Sequence, residues 1–497
     1  MTDAVAGAGG AEAKSFGAPA YRGYVLIALT MVYTLNFIDR NLLSVIAQPV
    51  ITTFGLSDSQ YGFLNGPPFA LFYALMGIPI AAAADRYNRV VIIAICIAIW
   101  SLMAALCGFA TSFLFLLCAR VGVAIGEAGC TPPANSIIGD YFQPRSRANA
   151  LGIYAMGVTL GGALSNAFGG PIATGLKGTA VQSWLAEKNI GWAVNAIDWS
   201  HVEGWRMAFV LTGAPGLLIG LLVLFTVKEP PRGYSDPAAA QSVEKANMTE
   251  TLRELFKKPT FWSNAMACSL VALVGYGLSG FQAPMMQRIH GISPGDFALH
   301  YGVPLSLFSA LGTFLGGFLT ERLAKRSPTA VAWIPGIGVL LAIPLYETAY
   351  FMPTAQLGLA LPIWCAGAVC HYSYLGSQYT IGQGVASQRS RASAVALMLL
   401  MIALIGNGLG PQIVGWMSDM FMTQQINAHN MGGILTNAIC RAKDVSHLTA
   451  DQQAICKSAY GEGLRMSMAA TALIFIPTAA FFFLAGLTLK KDMVAKH

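Results

Sequence analysis

Long apolar runs fill this chain, each bounded by a short polar or basic stretch, and about 20 apolar residues are what a helix needs to cross a bilayer. Twelve such runs fit, near residues 22–50, 59–84, 89–110, 112–138, 147–176, 205–227, 258–290, 296–322, 328–350, 354–387, 391–422 and 461–489. Of the 497 residues 55% are hydrophobic and 11% charged, and the mean hydropathy is +0.57. That is too little charge to coat a water-facing surface. The expectation is an all-α membrane protein with twelve transmembrane helices. Several runs exceed the minimum length, which implies tilt or extension beyond the lipid.

Two short basic motifs are written twice. Asp85-Arg86 with Arg89 recurs 236 residues later as Glu321-Arg322 with Lys325, and Arg145-Ser146-Arg147-Ala148 recurs 244 residues later as Arg389-Ser390-Arg391-Ala392. Both pairs lie between apolar runs at corresponding places, so one six-helix bundle is present twice, related by pseudo-two-fold symmetry. The expected organisation is a disordered cytoplasmic tail at 1–21, a first bundle at 22–227, a cytoplasmic linker at 228–257, a second bundle at 258–489 and a tail at 490–497. The Ala/Gly-rich tail reads as disorder and not as a cleaved signal. The linker is Pro-rich at first and helix-like from Met248 to Phe256.

Positive charge falls on one side of the chain: Arg86 and Arg89, Arg145 and Arg147, the linker, Arg322 with Lys325 and Arg326, Arg389 and Arg391, and Lys490, Lys491 and Lys496. With both termini cytoplasmic, all of these face inward, which predicts a multi-pass protein of the cell inner membrane. The net charge of +7 is then topology signal and not a nucleic-acid footprint. Seven cysteines fall singly in apolar runs, where cysteine acts as a small hydrophobe. Cys440 and Cys456 share the polar stretch before the last run, where pairing in an oxidising compartment is one of two open readings. Trp184, Trp192 and Trp199, spaced by eight and seven residues, either line one face of an interfacial helix or anchor an irregular loop.

The doubled acidic-Arg-x-x-basic loops, Gly77 and Gly317 upstream of them, Arg120-x-Gly122 with Gly126, and Gly157, Gly161, Gly162 and Gly169-Gly170-Pro171 resemble the major facilitator superfamily over nearly the whole chain. Ala81 departs from the pattern where the second copy keeps Gly317. Within the superfamily, Asn36-Phe37-Ile38-Asp39-Arg40-Asn41 and Gly126-Glu127-Ala128 followed by Pro132-Pro133 are similar to a bacterial homologue of the Spinster family. That resemblance implies an alternating-access transporter, proton coupling, and lipids such as lysophospholipids or sphingolipid-like molecules as substrates. It also implies that the doubled loops, with Asp85, Arg86, Arg89, Glu321, Arg322 and Lys325, latch the cytoplasmic side when it is shut.

The residues themselves point to four charges inside lipid: Asp39 and Arg40 in span 1, Arg120 and Glu127 in span 4. Such charges need partners or a water-filled cavity. At 1.5 Å per residue, Asp39 and Arg40 lie about 16 to 18 Å below the outer end of span 1, with Arg120 about 12 Å and Glu127 about 22 Å deep in span 4. The spacing places Asp39 near Arg120 and Arg40 near Glu127. One reading is a neutral ion-pair network that locks two helices. The other makes Glu127, then Asp39, the proton-coupling group, with Arg40 and Arg120 taking an anionic headgroup when the carboxylate releases them. Asn36, and in the second half Tyr276, Gln282, His371 and Tyr374, are candidate substrate-binding residues on a wall without charge. An anionic amphiphile suits one charged and one apolar wall; a hydrophilic organic anion or sugar phosphate is the alternative. His371 is also read as a hydrogen-bonded packing residue. Gly275, Gly277, Gly280 and Pro284 in span 7 make either a bending gate or a close-packing face. The expected partners are membrane lipids, protons and a small amphiphilic or anionic substrate, acting on a monomer. No metal-ligand spacing, cofactor motif or catalytic constellation appears, so an enzyme is not expected.

Overall fold

Side-chain caps mark where several spans begin. Ser57, Asn88, Ser112 and Thr449 each accept a hydrogen bond from the main chain three residues on, and Ser57–Gln60 and Thr449–Gln452 close as capping boxes. The computed structural model describes residues 15–191, 195, 198–235, 248–442 and 444–493. Its twelve candidate spans are Pro19–Val45, Asp58–Ala84, Arg89–Cys107, Phe113–Tyr141, Pro144–Gly175, Gly204–Thr226, Pro259–His290, Pro294–Ala324, Ala330–Phe351, Thr354–Gly384, Arg391–Ala428 and Ala450–Asp492, numbered 1 to 12 below. An even number of crossings brings both termini to one face, here called the terminal face.

Spans 1–6 and 7–12 form two bundles. Glycine sets how closely the helices within them approach: a Cβ at Gly126 would lie 2.6 Å from the main chain of Trp100, and one at Gly161 would lie 2.6 Å from that of Thr34. Between the bundles span 2 packs on span 11 and span 5 on span 8, the exchange a pseudo-two-fold axis requires. All four of these helices are irregular near those contacts. Span 2 breaks at Gly66 ahead of Pro67, and spans 5, 8 and 11 carry π-helical turns at Ser165–Gly169, Ala298–Gly302 and Ile402–Leu409.

Several boundaries differ from expectation. Span 1 starts at Pro19, inside the expected tail, because Phe16 and Tyr21 pack on Tyr141 with ring centroids 5.2 and 6.1 Å away. Span 12 starts at Ala450, eleven residues earlier than its apolar run, because Thr449 caps it. The tryptophans share no single helix: Gly178–Glu187 ends before Asn189, whose φ is 56°, and Trp199 lies in a separate turn, Trp199–His201. Trp192 and Lys496 lie outside the described residues. Span 7 runs unbroken from Pro259 to His290, and Gly277 lies against the main chain of Gly410, which is the close-packing arrangement.

The linker docks at both ends. Arg232 donates to the carbonyls of Ala84 and Tyr87 at 2.8 Å, and the Gly233 amide donates to Asp140 at 2.8 Å. Beyond it, the helix Met248–Leu255 is tied to the second bundle where Glu254 accepts from the Ser387 amide and hydroxyl at 2.7 and 2.8 Å. Burial opposes ionisation of Glu254, but the Ser390 and Ser387 donors and the Lys258 charge outweigh it and hold the carboxyl below its usual range.

Cys440, between spans 11 and 12, and Cys456, in the second turn of span 12, form a disulfide that closes 16 residues. A loop of that length contributes about 3 kcal/mol by constraining the unfolded chain. Cys456→Ser is therefore expected to lower the thermal midpoint of the detergent-solubilised protein, and reductant should then have no further effect; an unchanged midpoint would show the bond to be dispensable.

Candidate functional site

Span 1 and span 4 meet through one charged pair. Arg40 donates from Nε and Nη2 to the same carboxylate oxygen, Oε2 of Glu127, at 2.9 and 2.7 Å. Glu127 is fully buried and Arg40 is 15% exposed, so the arginine stands between the acid and the cavity. Oε1 of Glu127 is buried with no hydrogen-bond partner among the described residues. The guanidinium of Arg40 also lies 4.9 Å from the Phe37 and Tyr73 ring centroids and 5.2 Å from that of Phe69, whose ring is 5.1 Å from the Arg120 guanidinium. Two like charges thus share one aromatic ring.

Asp39 lies near Arg120, as the spacing predicts, but the contact is made by its main chain and not its carboxylate. Arg120 Nη1 reaches the main-chain carbonyl of Asp39 at 3.5 Å, while the Asp39 side chain turns to Thr212 and Trp100 in spans 6 and 3. Helix geometry explains this. Neighbouring residues project about 100° apart, so with Arg40 aimed at Glu127, Asp39 must point into the bundle. Oδ1 of Asp39, Nε of Arg120 and Nδ2 of Asn36 are likewise buried without a hydrogen-bond partner among the described residues. Asn36, 2% exposed, is not among the residues that line the cavity; Asn41 and Ser44, one and two turns further on, take that place.

A cavity of about 310 Å³ lies between the bundles, with Tyr276, Gln282, His371 and Tyr374 in its wall. A smaller space of about 20 Å³, lined by Arg40, Arg120 and Asn407, shares Asn41, Ser44, Tyr276 and Ser279 with it. The second-half wall has no charge and is mainly apolar, with polar groups set into it. Ser279, Ser306, Ser309 and Thr313 give it hydroxyls, which an apolar tally of whole spans hides. His371 is 2% exposed and its Nδ1 lies 3.0 Å from the Tyr346 hydroxyl, the hydrogen-bonded packing arrangement, with one edge left on the cavity.

The Major Facilitator Superfamily profile matches residues 29–411. The chain belongs to that superfamily. A solved bacterial homologue of the human lysosomal transporter Spinster, inward-facing and unoccupied, is 52% identical over 97% of this chain and 100% of its own, with a TM-score of 0.90. An MFS-type efflux pump of Mycolicibacterium smegmatis is 31% identical over 82% of this chain and 86% of its own. Protein spinster homolog 1 of Xenopus laevis is 24% identical over 80% and 74%, and a hexuronate transporter of Bacillus subtilis 25% over 80% and 87%. The chain is thus a multi-pass transporter of the Spinster type.

In this major facilitator the bundles close at the face opposite the termini. Arg288 donates from Nη1 and Nη2 to the two oxygens of Asp58, both at 2.7 Å, and Ser418 donates to the same carboxylate at 2.6 Å. Asp419 accepts from the amides of Asp58 and Ser59 at 3.2 and 3.1 Å, so a carboxylate of one bundle caps a helix of the other. Arg441, next to the disulfide, pairs with Asp419. A Cβ at Gly62 would lie 2.3 Å from the Pro411 carbonyl. Asp58, Arg288 and Asp419 escape sequence reasoning because each stands near the end of an apolar run and reads as a loop charge.

At the terminal face the motif residues are apart. Asp85, Arg86, Glu321 and Arg322 are exposed, and a Cβ at Gly77 or Gly317 would meet nothing within 4 Å. Lys325 and Glu321 form a 3.9 Å pair, 75% and 81% exposed, which contributes little. Arg89 differs from its copy. Only 1% exposed, it pairs with Asp140 at 2.5 Å and Glu229 at 2.6 Å, so it staples its own bundle to the linker.

Proposed function

We propose that this transporter moves an anionic amphiphile, such as a lysophospholipid or sphingolipid-like molecule, by proton-coupled alternating access, as a monomer in the inner membrane with the terminal face cytoplasmic. The observation that carries the reading is the Arg40–Glu127 pair: a fully buried acid whose only described hydrogen-bond partner is an arginine on the cavity edge. Both donors use Oε2, so Oε1 is the open position for a proton. A neutral Glu127 no longer holds Arg40 by charge, and the guanidinium turns to the substrate anion. Proton and substrate compete for the same partners, and that competition is the coupling. Arg120 adds a second positive charge, and Tyr276 and Ser279 face both arginines from the second bundle. The doubled loops would supply the latch when the terminal face shuts, because Gly77 and Gly317 leave both helices free to approach.

A hydrophilic organic anion is the second reading, favoured by the hydroxyls of Ser279, Ser306, Ser309 and Thr313 and by the hexuronate transporter among the relatives. Proteoliposomes separate the two. Labelled lysophospholipid is expected to accumulate in competition with unlabelled lipid and not with hexuronate; saturable hexuronate uptake without lipid uptake would sink the amphiphile. Arg40→Ala should weaken the anionic substrate about tenfold or more, the size of a lost charged hydrogen bond, and a neutral analogue far less. Equal losses would make Arg40 a structural residue.

A further inference from the structure

Away from the cavity, two distant segments bring lysines together at the terminal face of the second bundle. Lys257 and Lys258 precede span 7, and Lys490 and Lys491 end span 12. The two ends are joined directly, since Lys258 Nζ donates to the Asp492 carbonyl at 2.6 Å and Asp492 Oδ2 accepts from the Thr260 amide at 3.0 Å. The local acids are thereby engaged within the protein: Asp492 caps span 7, and Glu254 is held by Ser387. Lys257, Lys490 and Lys491 are exposed. Beside them Phe256 is 74% exposed, with its ring 5.6 Å from that of Trp262, whose indole N–H is bonded to the Leu255 carbonyl at 3.0 Å. The elbow is rigid, since its backbone and its tryptophan are tied down, and it presents one large apolar ring at the level of a basic cluster.

We propose that this elbow is a binding site for the headgroup of an anionic phospholipid of the surrounding membrane, with the lysines on the phosphate and Phe256 between acyl chains. An exposed phenylalanine just ahead of a membrane helix is stable when lipid covers it, and a cluster of juxtamembrane lysines attracts anionic headgroups. The site lies on the outer surface of the second bundle and is distinct from the central cavity. It rests on the proposed placement of the terminal face in the cytoplasmic leaflet only for which leaflet supplies the lipid. Nothing in the contacts depends on the transported substrate.

Native mass spectrometry of the full chain, delipidated in detergent and titrated with phosphatidylglycerol or phosphatidylcholine, tests it. The wild type is expected to retain phosphatidylglycerol in preference to phosphatidylcholine, and K257Q/K490Q/K491Q to lose about tenfold or more of that affinity. R322Q/K325Q/R326Q, equal in charge removed, should keep it. F256S should weaken binding at unchanged thermal midpoint. Equal retention by the K257Q/K490Q/K491Q variant, equal loss in both triple variants, or full competition by inorganic phosphate would overturn the proposal. A phospholipid lost with R40A but kept by K257Q/K490Q/K491Q would sit in the central cavity and would also overturn it, leaving the transport reading intact.

Discussion

Glu127→Gln is expected to abolish accumulation driven by a pH gradient while leaving counterflow exchange running. Glutamine fills the same volume and still accepts a hydrogen bond from Arg40, but it cannot exchange a proton, so it fixes the site in the neutral form. In proteoliposomes each coupled proton supports about tenfold accumulation for one pH unit, because one unit is worth about 1.4 kcal/mol. The variant should bring the steady-state ratio to one. Substrate-for-substrate exchange needs no net proton movement and should continue. Asp39→Asn is the comparison, since Asp39 is buried behind the pair with a carboxylate oxygen of its own unpartnered. If gradient dependence survives Glu127→Gln and disappears with Asp39→Asn, the proton is carried one residue away from the Arg40 contact. If it survives both, the cluster is a structural lock.

Much of this architecture was legible in the chain because a bilayer imposes a length and a polarity on every crossing. The apolar runs, the doubled basic loops and the depth at which Arg40 meets Glu127 follow from counting residues along helices. What counting cannot supply is rotation. Asp39 and Arg40 share a depth, and only the packed structure shows that one faces Glu127 and the other Thr212 and Trp100. Side-chain partnership over long separations is hidden for the same reason. Arg89 looks like a topology charge until Asp140 and Glu229 converge on it. The hydroxyls of span 8 are dilute in an apolar sequence, yet helical periodicity gathers Ser306, Ser309 and Thr313 on the cavity side. The irregular turns in spans 5, 8 and 11 each end two residues before a proline, Pro171, Pro304 and Pro411, and Gly66-Pro67-Pro68 likewise announces the break in span 2, so their places were marked in the chain while their π-helical form was not.

Arg288→Met is expected to open the face that is closed here. Asp58 is fully buried, and its carboxylate takes both guanidinium donors together with Ser418. Removing the arginine strands a buried anion, and breaking such a pair from one side costs about 3–5 kcal/mol. That cost falls only on the closed arrangement, since a separated Asp58 is free to meet water. The closed-to-open ratio should therefore drop by about two to three and a half orders of magnitude. Gln412 reports on it, because its amide donates to the Ser59 hydroxyl across the closure at 3.0 Å. A cysteine at position 412, in a Cys118→Ser background, should react slowly with a membrane-impermeant maleimide in the parent and rapidly with Arg288→Met. Asp58→Asn in the same chain removes the stranded charge while the Gly62–Pro411 backbone contact stays, so the double variant should label more slowly than Arg288→Met alone. Identical labelling of parent and Arg288→Met would mean that backbone packing, and not the ion pair, holds this face shut. Identical labelling of the single and double variants would mean that the arginine acts through its bulk and its contact with the Tyr460 ring, 3.7 Å from the guanidinium, and not through charge.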